Sequence, residues 1–172
     1  MLHVISGLSR SPAHRVGGLV LIAAVAVILS ALAYEHIGGY VPCPMCLQQR
    51  YAYYAAIPAL LIALALLSTR RTMAAVAIFL AIAIAFLANA GLGAYQAGAE
   101  WKYWEPPASC AAPSTLPTFD MKQQTFDRIP ASCGVASWRF LGLSFAGWNV
   151  VASALLAAGA VMAALKAVGD PP

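Results

Sequence analysis

The sequence predicts an all-α membrane protein: a bundle of four transmembrane helices with two cysteine-bearing loops on its extracytoplasmic side. Three observations carry that prediction. The 172 residues are 62% hydrophobic and only 9% charged, whereas a soluble domain carries about 25% charged residues. The charges gather in short clusters, and between them run uncharged, mainly apolar stretches at 16–34, 51–69, 72–99 and 140–165. Each can cross a ~30 Å hydrocarbon core, which needs about 20 residues. The four cysteines all fall in two of the connections.

The expected elements follow in chain order within one domain, 1–172. A short lead with Arg10, His14 and Arg15 precedes a first helix at about 16–34. This run could instead be a signal peptide ending at Ala31-Leu32-Ala33. Its length exceeds the usual ~7–15 apolar residues, and three further spans follow it. A loop at about 35–44 leads into a second helix at about 45–68, where Pro58 should introduce a kink. Arg70 and Arg71 lie in a tight turn, and a third helix runs at about 73–95. The long connection at about 96–142 is rich in proline, and Phe126, Ile129, Trp138 and Phe140 could anchor a short helix in it along the bilayer. The fourth helix runs at about 143–165 and ends at Lys166.

Basic residues set the orientation, because cytoplasmic segments carry the excess of Lys and Arg. The lead, the Arg70-Arg71 turn and the Lys166 tail hold five basic residues on one side. That side, with both termini, is expected in the cytoplasm. Cys43, Cys46, Cys110 and Cys133 then face the oxidising compartment, where disulfides persist. A net charge of +4 without a basic stripe argues against nucleic-acid binding.

Cys43-Pro44-Met45-Cys46 places a C-x-x-C pair where irregular chain gives way to helix. The partial positive charge of a helix N-terminus favours a thiolate at Cys46. Arg50, four residues on, shares its helix face. A close pair and a widely spaced pair at one membrane surface can relay electrons by thiol–disulfide exchange. Spacing alone also permits two purely structural disulfides, since four cysteines allow three pairings. A four-cysteine zinc site is less well matched, because Cys110 and Cys133 lack close spacing. Haem attachment would require histidine where Leu47 stands. Tyr51, Tyr53, Tyr54, Tyr95, Trp101, Trp104 and Trp148 read as interfacial anchors. Arg50 could simply snorkel to the headgroups. Glu35 reads as a helix-end charge and His36 as a solvated loop residue.

The chain resembles the disulfide bond formation protein B (DsbB) family. The resemblance rests on Cys43-Pro44-Met45-Cys46-Leu47-Gln48-Gln49-Arg50-Tyr51, on the order of four helices and two loops, and on Trp138-Arg139-Phe140-Leu141-Gly142-Leu143-Ser144 followed by Trp148-Asn149. It implies an inner-membrane thiol:quinone oxidoreductase that reoxidises a periplasmic, thioredoxin-fold DsbA-like oxidase and passes electrons to ubiquinone or menaquinone. It also implies the disulfides Cys43–Cys46 and Cys110–Cys133. On that pattern Cys110 is attacked by the reduced partner, Cys133 passes through a bond with Cys43, and Cys46 meets the quinone. Arg50 supports the quinone and the Cys46 thiolate. The family often carries a histidine near the end of the third helix; Gln96 stands in that stretch here and could donate a hydrogen bond to quinone. An acidic residue commonly follows the last cysteine, where this chain has Gly134.

Two other readings compete. A disulfide-stapled scaffold would resist mild dithiol reduction. A vitamin K epoxide reductase-like enzyme would carry its C-x-x-C late in the chain, not after the first helix.

Overall fold

The structure, a computed structural model, describes residues 11–110 and 133–169. Four long helices account for most of them: α1 Pro12–His36, α2 Pro44–Ser68, α3 Thr72–Glu100 and α4 Phe145–Gly169. Each is long and apolar enough to cross a membrane. The all-α, four-helix architecture expected from the sequence is the one found. α3 packs most extensively on α4, and also lies beside α2; α1 lies beside α4 and α2. The helices therefore form a ring in chain order, with α1 opposite α3.

Local chemistry sets the helix starts. Ser11 caps α1 by accepting a hydrogen bond from the His14 backbone N–H at 3.2 Å, with Pro12 next to it. Cys43 caps α2 in the same way, its Sγ accepting from the Cys46 N–H at 3.2 Å, and Pro44 follows. Proline suits a first helical position because its missing donor would be unpaired there anyway. α2 continues through Pro58 as one helix.

The core is built from small and aromatic residues in alternation. Val20, Ala24 and Ile28 of α1 meet Tyr53 and Leu60 of α2, Phe79 and Phe86 of α3, and Leu156 and Ala160 of α4. Close approach needs glycine at one point in particular. A Cβ on Gly93 of α3 would lie 3.1 Å from the backbone oxygen of Ala146 in α4. Small residues at such crossings replace the hydrophobic drive that lipid removes. Leu19, Ile22, Leu61, Ile84 and Leu155 point outward, as lipid-facing residues should.

α3 runs on to Glu100, past the end expected at Tyr95. Its 29 residues span ~43 Å at 1.5 Å each, well beyond a ~30 Å hydrocarbon core. The last turn therefore stands at the interface. It is closed by Trp104, which folds back over Gly98 and donates from Nε1 to the Tyr95 carbonyl at 2.9 Å. Lys102, at φ 65°, makes the reversal and donates from Nζ to the Gly134 carbonyl at 2.9 Å.

Before α4 comes a tight hairpin of β1 Arg139–Phe140 and β2 Leu143–Ser144. Leu141 and Gly142 turn it at φ 51° and 83°. Positive φ at both central residues matches the right-handed strand twist. Phe140 thus belongs to a hairpin and Trp138 directly precedes it, so neither lies in the surface helix expected from the sequence. Phe126 and Ile129 lie outside the described residues.

Candidate active site

The sulfurs sit at the interfacial ends of α2 and α3. Cys43, Met45, Cys110 and Cys133 form one buried cluster, with Cys46 and Leu92 packed against it. Cys110 and Cys133 are joined by a disulfide whose Cα atoms lie 5.3 Å apart. Cys43 and Cys46 are free thiols, so the bond expected between them is open in this structure. The short helical turn Ala108–Cys110 brings the second pair against the start of α2. The two pairs, 64 residues or more apart in sequence, share one packed environment.

The direct polar partner of both free sulfurs is Gln96, from the extra turn of α3. Its Nε2 lies 3.3 Å from Cys46 Sγ and 3.4 Å from Cys43 Sγ. The third contact of the same nitrogen is Glu100 Oε1 at 3.4 Å. The Cys43 thiol is pushed well above its ordinary pKa, first by its hydrogen bond with the Cys46 side chain and then by burial. Cys43 thus keeps its proton, and Cys46 is the sulfur better placed to carry charge.

Gln96 is aimed by a chain of amides that sequence reading missed. Tyr53 OH donates to Asn149 Oδ1 at 2.8 Å, and Asn89 Nδ2 approaches the same oxygen at 3.4 Å. Asn149 Nδ2 is therefore turned toward Gln49 Oε1, at 2.6 Å. Gln49 Nε2 then donates to Gln96 Oε1 at 2.7 Å. Each amide hands on the same polarity, and the chain ends with an N–H group on the sulfurs. Gln49 lies beside the C-x-x-C and Asn149 follows Trp148, but nothing in their spacing shows that they touch. Tyr53, expected as an interfacial anchor, is instead 2% exposed and stacks edge-on against Phe86 at 5.2 Å.

Arg50 has a partner on another helix. It forms an ion pair with Glu35 of α1, and among the described residues it makes no hydrogen bond to Cys46. Glu35 is thus a specific partner and not only a helix-end charge.

Cys43, Cys46, Gln49, Gln96, Asn149, Tyr53 and the Arg50–Glu35 pair line a cavity of about 530 Å³. Ala26, Val27 and Ala31 of α1 and Ala152 of α4 form one apolar wall. Phe145 gathers aromatic rings at the mouth, with Tyr34 and Trp138 each 4.9 Å from its centroid. Cys46, Gln96, Glu100 and Arg50 supply the polar end.

The model of the family "Disulfide bond formation protein DsbB" matches residues 13–163. The chain belongs to the DsbB family. Among its relatives is disulfide bond formation protein B of Verminephrobacter eiseniae (strain EF01-2), 33% identical over 170 residues, covering 94% of this chain and 90% of the relative. The protein of the same name from Aromatoleum aromaticum (strain DSM 19018 / LMG 30748 / EbN1) is 35% identical over 136 residues, covering 74% and 78%. No solved structure matches. DsbB is a membrane oxidoreductase that reoxidises DsbA and transfers electrons to quinone. Where the family often has an acidic residue after the last cysteine, Gly134 fits a tight space: a Cβ there would lie 3.2 Å from Pro106 Cγ.

The amide chain makes a directional prediction. Gln49→Glu replaces the donor facing Gln96 Oε1 by an acceptor, so the Gln96 amide should turn over and present oxygen to the sulfurs. Losing a hydrogen bond to a charged group costs about 1.5–3 kcal/mol. Alkylation of Cys46 at neutral pH in the reduced protein should slow by about ten- to a hundredfold. An unchanged rate, measured by mass spectrometry in folded protein, would mean that the amide chain does not act on the sulfur.

Proposed function

We propose that electrons enter this chain at Cys110–Cys133 from a periplasmic, thioredoxin-fold DsbA-like protein and leave from Cys43–Cys46 to a quinone bound in the cavity. The observation that supports this most is the burial of both cysteine pairs in one cluster, from which Cys43 and Cys46 line the polar end of an otherwise apolar cavity. Contact between the pairs permits transfer by exchange without a diffusing carrier. The partner's thiolate attacks Cys110, releasing Cys133; the Cys133 thiolate can then attack Cys43 of a Cys43–Cys46 disulfide, releasing Cys46. The partner's second thiolate then attacks its own sulfur in the mixed disulfide, so the partner leaves as a disulfide and Cys110 is released. The Cys110 thiolate attacks Cys133 of the Cys133–Cys43 bond, closing Cys110–Cys133 and leaving Cys43 and Cys46 reduced, the state in this structure. Cys110 is 2% exposed here, so entry of the partner requires displacement of the chain that covers it.

The cavity fits a quinone. Its apolar walls suit a flat ring and a prenyl tail, and its polar end offers donors for a carbonyl oxygen. Gln96 and Arg50 would hold that end, and the quinone supplies a two-electron acceptor there. Whether the acceptor is ubiquinone or menaquinone rests with the tail and ring substituents, which these polar groups do not address. Cys46 is the sulfur nearest this role, because it holds the first turn of α2 and is the more exposed of the two free sulfurs that line the cavity. The Glu35 carboxylate fixes Arg50 through one guanidinium nitrogen and leaves its other N–H groups without a hydrogen bond among the described residues.

The cysteine side of the molecule is assigned to the periplasm and both termini to the cytoplasm, on the basic bias of the lead, the Arg70-Arg71 turn and Lys166.

Three outcomes test this reading. Cys110→Ser should abolish reoxidation of the reduced partner while leaving the Cys43–Cys46 dithiol able to reduce a short-chain quinone, followed by quinone absorbance. Wild-type partner reoxidation in that variant would reverse the relay order. Arg50→Lys keeps the ion pair but loses the planar fork, so KM for quinone should rise moderately. Arg50→Ala should raise it more, by about tenfold, since it also leaves Glu35 as an uncompensated carboxylate in the cavity. Unchanged values in both would remove Arg50 from the quinone site. Lastly, Ile5→Cys, Arg70→Cys and Val168→Cys should label with a membrane-impermeant thiol reagent only after permeabilisation; ready labelling of intact spheroplasts would invert the orientation.

A further inference from the structure

Glu100 is a carboxyl group that the relay leaves unused. It ends α3 at 8% exposure and lines the cavity that holds Cys46 and Arg50. Its Oε1 accepts from Gln96, the amide that also touches both free sulfurs. Among the described residues its Oε2 is buried without a hydrogen-bond partner. A buried carboxylate left bare is far more costly than a neutral carboxyl group in the same place. Among the described residues the other carboxyl group lining the cavity is that of Glu35, which is paired with Arg50.

The chemistry assigned to the cavity needs protons as well as electrons. Turning a quinone into a quinol takes up two of each. A dithiol in which Cys46 is a thiolate and Cys43 a thiol holds two transferable electrons but one proton. The walls around the pair are apolar, and Cys43 is 2% exposed, so bulk water does not reach it freely.

Resting on the quinone reading above, we infer that Glu100 is the proton carrier of the Cys43–Cys46 oxidation, supplying the second proton from Oε2. The step balances. Cys43 thiol, Cys46 thiolate, protonated Glu100 and quinone give the Cys43–Cys46 disulfide, Glu100 carboxylate and quinol. The S–S bond forms, the S–H bond of Cys43 and the O–H bond of Glu100 break, and two electrons pass to the acceptor with the two protons. Glu100 regains its proton from the aqueous side, where Arg139 lies exposed with Nη2 3.4 Å from the Glu100 backbone oxygen.

The groups facing Glu100 are consistent with a carrier and not a permanent anion. Burial favours its neutral form, while the Ser144 hydroxyl of β2, the Gln96 amide of its own helix and the Arg139 guanidinium of β1 favour the charged one. Cys46 of α2 interacts with it electrostatically, so charge on that sulfur opposes charge on Glu100. The proton is thereby held when Cys46 is a thiolate and loosened when the disulfide forms.

The test uses full-length protein in lipid nanodiscs, with Glu100→Gln and Glu100→Asp. Glutamine keeps the Gln96 contact and the shape but carries no exchangeable acid proton. Single-turnover reduction of a short-chain quinone by the pre-reduced protein should slow about a hundredfold in Glu100→Gln, the range expected for loss of a general acid. Glu100→Asp should recover part of the rate, with a displaced pH profile. The exchange rate between reduced partner and Cys110–Cys133 should not change in either.

A second measurement needs no quinone. Infrared difference spectra between the dithiol and disulfide forms, cycled with dithiothreitol, should show a carboxylic-acid carbonyl band in the wild type that is missing in Glu100→Gln. A wild-type single-turnover rate in folded Glu100→Gln, or no such band, would overturn the inference. If instead no variant, wild type included, reduces quinone while the band persists, the quinone reading fails and the protonation of Glu100 stands.

Discussion

Polar groups carried into an apolar bundle must find their partners inside it, and this constraint organises the site. Gln49, Asn89, Gln96, Tyr53 and Ser153 are all buried. Each would cost roughly 1–3 kcal/mol if left unpaired. They are satisfied together, and the manner of satisfaction has a direction. Donors converge on Asn149 Oδ1 from Tyr53 at 2.8 Å and from Ser153 and Asn89 at 3.4 Å each. That convergence settles which way Asn149 faces, and Gln49 and Gln96 follow in turn. A requirement of folding thereby places an N–H donor against two sulfurs, and Gln96 needs no charge of its own to favour charge on Cys46.

Helix ends do the rest of the placing. Cys43 caps α2, so its sulfur is fixed by the same hydrogen bond that starts the helix. Cys46 follows in the first turn. The length of α3 is what lets a residue of a different helix reach them. If α3 ended at Tyr95, Gln96 and Glu100 would belong to the connecting chain and not to the helix that holds them beside the sulfurs. The returning turn at Lys102 and Trp104 then ties the start of the long connection to its end through Gly134, beside Cys133. The second cysteine pair is thus seated on the first by the same turn that extends the helix.

The architecture was legible because it rests on composition: four long uncharged runs have few alternatives once charges are this scarce. The reactive pair was legible because C-x-x-C at a helix start is a local pattern. Partnerships between helices were not. Arg50 and Glu35 are 15 residues apart on different helices, and local spacing pointed Arg50 toward Cys46, its neighbour on one face. Tyr53 belongs to an aromatic run, Tyr51-Ala52-Tyr53-Tyr54, whose other members are exposed. Only helix phase turns it inward, and that phase was set by Pro44 and Cys43 beginning the helix where they do. The end of α3 was misjudged for a related reason: a glutamine and a glycine look like a helix ending, yet Gly98 is there to admit the Trp104 ring.

Charge accounting in the cavity links these features to the reaction. Arg50 and Glu35 cancel, so the pair adds a dipole but little net charge. Gln96 contributes a dipole alone. The one full charge that changes during turnover on the protein side is then shared between Cys46 and Glu100, which face each other across Gln96. In a poorly hydrated setting, moving a charge by a few ångströms is far less costly than creating one, because interaction energies rise as the effective dielectric falls. Passing the negative charge from sulfur to carboxylate as the disulfide forms keeps the net charge of the cavity constant through the electron transfer. An arginine left unpaired beside Cys46 would have stabilised the thiolate more strongly, but it would also have opposed giving up that charge.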